Sequence, residues 1–189
     1  TDRRKHEHAV RRRKAGASMT SARWLHQTPP RFRDARPDMI PDDMRAPWLA
    51  HRGNIIVFGA TGTGKTFATY ALLAEKDPQI KSWMVTTIDG AVEHYRNGNE
   101  HDMRRSKPDA CGLLVLDDVG VDTMTEWASG ALDRIINRRH ERMLPTWVTT
   151  NLDPSDGGPL YQYLGNRAWS RLVSDAHVVL MGGKDRRQA

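Results

Sequence analysis

Short apolar runs alternate with longer amphipathic stretches from residue 54 onward. Asn54–Phe58 (NIIVF), Lys81–Thr87 (KSWMVTT), Leu113–Leu116, Thr146–Thr150 and His177–Met181 are rich in β-branched and aliphatic residues, and they predict five strands. Several are apolar without alternation, the pattern of strands buried on both faces. Between them, Gly64–Glu75 repeats Ala68, Leu72 and Leu73 on one helical face, and a short helix is predicted around Gly90–Arg96. Thr125–Arg142 predicts a long helix with Trp127, Leu132, Ile135 and Ile136 as its inner stripe, ended by Pro145. Leu160–Val173 is the last predicted helix, and residues 97–110 are polar and breaker-rich, hence a surface loop. Strands alternating with helices predict βαβ units, an α/β fold with a central parallel sheet covered on both sides.

The first 53 residues differ. Residues 1–22 are polar and charged, and residues 23–53 carry Pro29, Pro30, Pro37, Pro41 and Pro47 among scattered Trp and Phe, predicting an irregular lead-in draped over the domain. Charge sharpens this division. Residues 1–36 hold eleven Lys and Arg against three Asp and Glu, and the other residues eighteen against twenty. The net +6 is therefore +8 on the arm and −2 on the body. Arg3-Arg4-Lys5 and Arg11-Arg12-Arg13-Lys14 suit phosphate backbones, an acidic protein surface, or plain solvation. The 189 residues suffice for one domain, and no eighteen-residue apolar run or signal-peptide pattern occurs, so no membrane partner is expected. A single cysteine, Cys111, excludes a disulfide framework and a multi-cysteine zinc site, and it points to a reducing, cytoplasmic setting.

The first predicted strand runs into Gly59-Ala60-Thr61-Gly62-Thr63-Gly64-Lys65-Thr66, which satisfies G-x-x-x-x-G-K-[ST] with a strand before and a helix after. Glycines let the backbone curl so that N–H groups converge on phosphate oxygens, and the following helix aims its positive end at the same anion. Lys65 then reaches the β and γ phosphates of ATP, and the Thr66 hydroxyl ligates Mg²⁺.

Leu113-Leu114-Val115-Leu116-Asp117-Asp118 places two carboxylates at the end of a buried strand. Strand carboxyl ends open onto the ligand crevice in α/β sheets. Asp117 is expected to hold Mg²⁺ and Asp118 to orient and deprotonate the attacking water. The fourth strand ends in Thr149-Thr150-Asn151. If it lies beside the first, the neutral amide of Asn151 reaches the γ-phosphate and the water; otherwise Asn151 opens an Asx-turn before Asp153-Pro154.

These three motifs in this order resemble those of the AAA+ P-loop ATPases, and more closely those of the DnaC/DnaI helicase loaders and IstB transposition helpers. Thr28-Pro-Pro-Arg-Phe-Arg-Asp-Ala35 resembles the lead-in of that family, and Asp117-Asp118-Val119-Gly120 its acidic strand end. Ile135-Ile136-Asn137-Arg138-Arg139, Leu144-Pro145-Thr146 and Thr149-Thr150-Asn151-Leu152 resemble the helix and strand that follow. Leu164-Gly165-Asn166-Arg167 and Ser170-Arg171-Leu172 resemble its arginine-finger box.

The resemblance implies a five-stranded AAA+ sheet domain over 28–182, preceded by a basic arm at 1–27 and followed by a tail at 183–189. Eight residues after the last strand leave no room for a helical lid, as is typical of that subfamily. It further implies self-association into a ring or spiral in which Arg171, or Arg167 in its place, acts on the neighbour's nucleotide. Arg104, Arg105 and Lys107 then either face the central channel and single-stranded DNA or form an exposed charged loop. The implied activity is ATP hydrolysis coupled to loading a replicative helicase onto single-stranded DNA. A transposition helper on duplex DNA and an adaptor using ATP only as a structural ligand are the rival readings. Cys111, in a turn before a strand, is read as structural, and Trp127 and Trp147 as core.

Overall fold

The computed structural model describes residues 22–76, 80–97 and 107–182. The arm at residues 1–21, Arg104, Arg105 and the tail at 183–189 lie outside the described residues. The elements run α1 (Ala22–Gln27), two 3₁₀ turns (Pro30–Phe32 and Pro37–Met39), α2 (Asp42–Ala50), β1 (Asn54–Phe58), α3 (Lys65–Lys76), β2 (Trp83–Thr86), α4 (Ile88–Asn97), β3 (Leu113–Val119), α5 (Glu126–Glu141), β4 (Thr146–Thr150), α6 (Pro159–Val173) and β5 (Ala176–Leu180). The five strands form one sheet in the order β2-β3-β4-β1-β5, every pair parallel. β4 therefore lies between β1 and β3, so three strands far apart in sequence end side by side.

Period-two alternation divides each central strand between two cores. Ile56, Leu114, Leu116 and Val148 face one side and pack on α4, α5 and α6. Ile55, Val57, Leu113, Val115 and Trp147 face the other and pack on α3 and the lead-in. α3 alone is too narrow to cover that second face. Trp24, Ile40 and Trp48 of the lead-in complete the cover, with the Trp48 ring 5.7 Å from that of Trp147. The lead-in is thus more regular than its prolines suggest, because burying these side chains orders α1 and α2.

α5 shows how sequence sets an element. Thr125 accepts the Ala128 N–H at 3.2 Å as N-cap, Glu126 occupies the first turn, and Arg138, Arg139 and His140 the last. Its buried stripe is Ala128, Ala131, Leu132, Ile135, Ile136 and Arg139. Trp127 is a correction to the expected stripe. It lies one position off the register, is 51% exposed, and carries the Arg96 guanidinium 5.7 Å from its ring centre. Trp147 is core as expected.

Arg139 is buried although charged. Its guanidinium donates to the carbonyls of Pro108, Cys111 and Pro145 at 2.8, 2.8 and 2.6 Å and to the Thr146 hydroxyl at 2.9 Å. It thereby ties the segment before β3 to the start of β4. Cys111 is buried against it, and burial pushes the thiol pKa up. α6 is broken at Gly165 (φ 76°, ψ 161°), so the predicted single helix is two pieces.

Candidate nucleotide site

The loop from Gly59 to Gly64 leaves the buried strand β1 with three glycines at positive φ: 153°, 81° and 94° at Gly59, Gly62 and Gly64. Side chains are disfavoured there, which is why the motif demands glycine at Gly59 and Gly64. At Gly59 space is also missing, since a Cβ would stand 2.2 Å from the Met181 carbonyl oxygen. Thr63 Oγ1 closes the turn by donating to Ala60 O at 2.9 Å. α3, twelve residues long, starts at Lys65 and points its N-terminus at the loop.

Lys65 is 6% exposed, and its ammonium donates to Gly59 O, Ala60 O and Asn151 Oδ1 at 2.9, 2.9 and 2.6 Å. An ammonium has three donors. To engage a phosphate, the lysine must exchange some of these neutral acceptors for the anion, which stabilises the charge far better. The strand order answers the question left open for Asn151: with β4 beside β1, its amide stands at the loop.

In the first turn of α3, Thr66 Oγ1 donates to Asp117 at 3.0 Å (Oδ1) and 3.2 Å (Oδ2). Burial raises the Asp117 pKa above the ordinary carboxylate value and Asp118 adds to this, while hydrogen bonds from Thr149 and Thr66 and the Lys65 charge oppose it. A cation at this carboxylate favours its charged form. Hydroxyl and carboxylate supply only oxygen donors, a set that fits Mg²⁺.

Asp118 is exposed and has φ 54°, unusual outside glycine. Asp118 lines an adjoining cleft with Thr87, Asp89, Asp122 and Tyr163. There burial raises the Tyr163 pKa, and Asp89 and Asp122 add to it. Neighbours in sequence, Asp117 and Asp118 thus serve two adjacent spaces.

Arg167 and Arg171 are not part of this cluster. Both lie on α6 after the break at Gly165, and the Arg171 guanidinium donates to Arg167 O at 3.0 Å. The Arg171 and Leu172 carbonyls accept from Asn54 Nδ2 at 3.3 and 3.0 Å. Asn54 opens β1, whereas the phosphate loop follows its end, roughly 15 Å along the strand. Sequence reasoning missed Thr149, whose hydroxyl touches both halves of the acidic pair, and the buried role of Arg139. The signal for Thr149 was a hydroxyl residue in a fully buried strand, opposite the acidic pair.

Residues 2–189 match the family described as IstB-like ATP binding protein. The chain belongs to this family. As an IstB-like ATP-binding protein it also shares sequence with replicative helicase loaders DnaC. Those of Escherichia coli strain K12 and Shigella flexneri are 27% identical over 128 residues, 64% of this chain and 51% of theirs. The chain thus spans about half the length of the curated relatives it matches.

In fold, this IstB-like chain is similar to a crystal structure of the DnaC helicase loader (TM-score 0.68, 17% identity, 82% of this chain and 100% of that one). It is similar to DnaI (TM-score 0.65, 18% identity, 85% and 94%) and to AMPPCP-bound DnaA from Aquifex aeolicus (TM-score 0.61, 18% identity, 84% and 53%). The expected P-loop AAA+ α/β architecture, a five-stranded parallel sheet with flanking helices, is the observed one.

Proposed function

We propose that this chain hydrolyses ATP with Mg²⁺ and uses the cycle to load a replicative helicase onto single-stranded DNA. The observation that carries the ATPase half is the meeting of Lys65, Thr66, Asp117 and Asn151 at the ends of β1, β3 and β4. Phosphoryl transfer needs little covalent chemistry from the protein; it needs positioning and charge stabilisation. Lys65 and the Gly59–Gly64 loop hold the phosphates. Thr66 and Asp117 hold Mg²⁺, which neutralises charge on the phosphoryl oxygens. Asn151 orients the attacking water without adding negative charge. The attacking oxygen bonds to the γ-phosphorus as the bond to ADP breaks, and its proton passes to Asp118, which stands beside the cluster in the adjoining cleft.

Arg171, with Arg167 as the reserve, supplies the last positive charge. Its backbone lies at the opposite end of β1 from the chain's own loop, so it acts on a neighbouring copy, and turnover requires self-association. The loader half rests on the kinship with helicase loaders.

The test is ATP turnover with and without single-stranded DNA, for the wild type, Lys65→Ala, Arg171→Ala, Arg167→Ala and mixtures. DNA-stimulated activity, lost in Lys65→Ala and in one arginine variant and partly regained on mixing, is expected. Nucleotide binding without turnover under any condition, a helicase included, rejects the ATPase reading. Failure to promote loading of any replicative helicase rejects the loader reading.

The family match favours a second reading, an ATP-dependent transposition helper assembling on duplex DNA. Preference for duplex over single-stranded DNA in the ATP state selects it.

A further inference from the structure

β3 and β4 pair in register at Leu116↔Val148 and again at Val119↔Thr150. Between these pairs β3 carries two residues, Asp117 and Asp118, and β4 only one, Thr149. This is a β-bulge, which interrupts the ladder and re-aims side chains. Thr149 is fully buried, and its hydroxyl spans the gap. It donates to Asp117 Oδ1 at 2.6 Å and accepts the Asp118 N–H at 2.9 Å. One step on, Thr150 Oγ1 donates to Val119 O at 2.7 Å and accepts the Leu152 N–H at 3.0 Å, pinning the far side of the bulge.

We infer that Thr149 is the positioning residue of the acidic pair. This rests on the roles proposed above for Asp117 and Asp118. The bulge supplies the divergence of the two carboxylates, and the Thr149 hydroxyl holds it. By donating to Oδ1 it keeps Asp117 turned toward Thr66. By accepting the Asp118 N–H it satisfies a donor that the broken ladder leaves over, and so stabilises the positive φ of 54° with which Asp118 lines the adjoining cleft. A backbone carbonyl could take the N–H but has no proton for the carboxylate. Only a hydroxyl does both from one atom.

The test compares Thr149→Val, which removes the hydroxyl at nearly constant volume, with Thr149→Ser, which keeps it. Binding of a fluorescent ATP analogue is measured in EDTA and across a Mg²⁺ titration, alongside turnover and thermal unfolding. In EDTA the affinity of Thr149→Val stays within about twofold of wild type, because the loop and Lys65 are untouched, while its Mg²⁺ midpoint rises about tenfold, as expected for losing one hydrogen bond to a charged group. Its kcat falls more than its KM changes, and Thr149→Ser restores both within about threefold. In an Asp117→Asn background, Thr149→Val changes the Mg²⁺ midpoint by less than about twofold, since the pair acts as a unit.

The inference is overturned if folded Thr149→Val keeps the wild-type Mg²⁺ midpoint and kcat, if Thr149→Ser is as impaired as Thr149→Val, or if the two substitutions are additive. Should Thr149→Val not fold, Thr149→Ala carries the same comparison. If Asp117→Asn itself leaves the Mg²⁺ midpoint unchanged, the assignment of Asp117 fails, which is distinguishable from failure at Thr149 alone.

Discussion

The ammonium of Lys65 and the amide oxygen of Asn151, 86 residues apart in sequence, lie 2.6 Å from each other across the ends of β1 and β4. This contact places the amide beside the ammonium proposed to hold a phosphate. Asn151→Ala removes the amide proposed to orient water while leaving the loop intact. We expect kcat to fall about a hundredfold with KM for ATP changed much less. Steady-state ATPase kinetics check this; an equal loss confined to KM would make Asn151 a binding group only.

The buried Arg139 guanidinium serves three carbonyls and one hydroxyl. Arg139→Met leaves these acceptors without their donor, at a cost of about 3 kcal/mol or more. Arg139→Lys recovers only part, since a three-donor ammonium cannot reproduce the planar fork. Urea unfolding midpoints of the three proteins measure the order wild type, lysine, methionine.

Gly165 separates the two pieces of α6 at φ 76°, and beyond its chain neighbours and its own helix backbone no atom of the described residues lies within 4 Å of where its Cβ would stand. The cost of Gly165→Ala is therefore backbone strain, about 2 kcal/mol for a conformation that is essentially restricted to glycine. Gly182→Ala, equally open and without positive φ, is expected to stay within about 0.5 kcal/mol of wild type. Because the break directs the segment carrying Arg167 and Arg171, Gly165→Ala is also expected to lower turnover where those arginines act as proposed. Chemical denaturation and subunit-mixing ATPase assays separate the two effects.

Tyr70 is buried and stacks on Phe32 with ring centres 4.7 Å apart. Burial first, and the charge of Asp117 second, push its pKa from 10.0 up to about 12. The folded state therefore holds this proton more tightly than the unfolded chain does. The resulting stability is fully present below pH 10 and is lost as pH rises through 12. It amounts to at most about 2.7 kcal/mol, and less in practice because the phenol retains some solvent. Tyr70→Phe has no proton to lose, so its stability should decline less between pH 10 and 12. Urea midpoints across that range test the difference; parallel curves would remove Tyr70 from the alkaline transition.

The elements were largely legible in the chain. Five apolar runs became five strands because each run is β-rich and bounded by breakers, a local property. The phosphate loop was legible because glycines at fixed spacing answer a local backbone demand. Asp117 and Asp118 were legible as a pair at a strand end, but not their divergence, which requires a bulge against a strand thirty residues later. Trp127 was misplaced because apolar character alone does not say which side of a helix meets the sheet.

Sequence by itself thus determined the αβ alternation, the phosphate loop and the acidic strand end, since propensity, periodicity and turn chemistry act over a few residues. The tertiary structure alone decided that β4 lies between β1 and β3, that Asn151 meets Lys65, that Thr149 stands opposite the acidic pair, and that Arg171 lies at the far end of β1 from the loop. Those facts depend on which strands pair and in what register. Pairing is settled by burying both faces of the whole sheet at once, and no local segment carries that information.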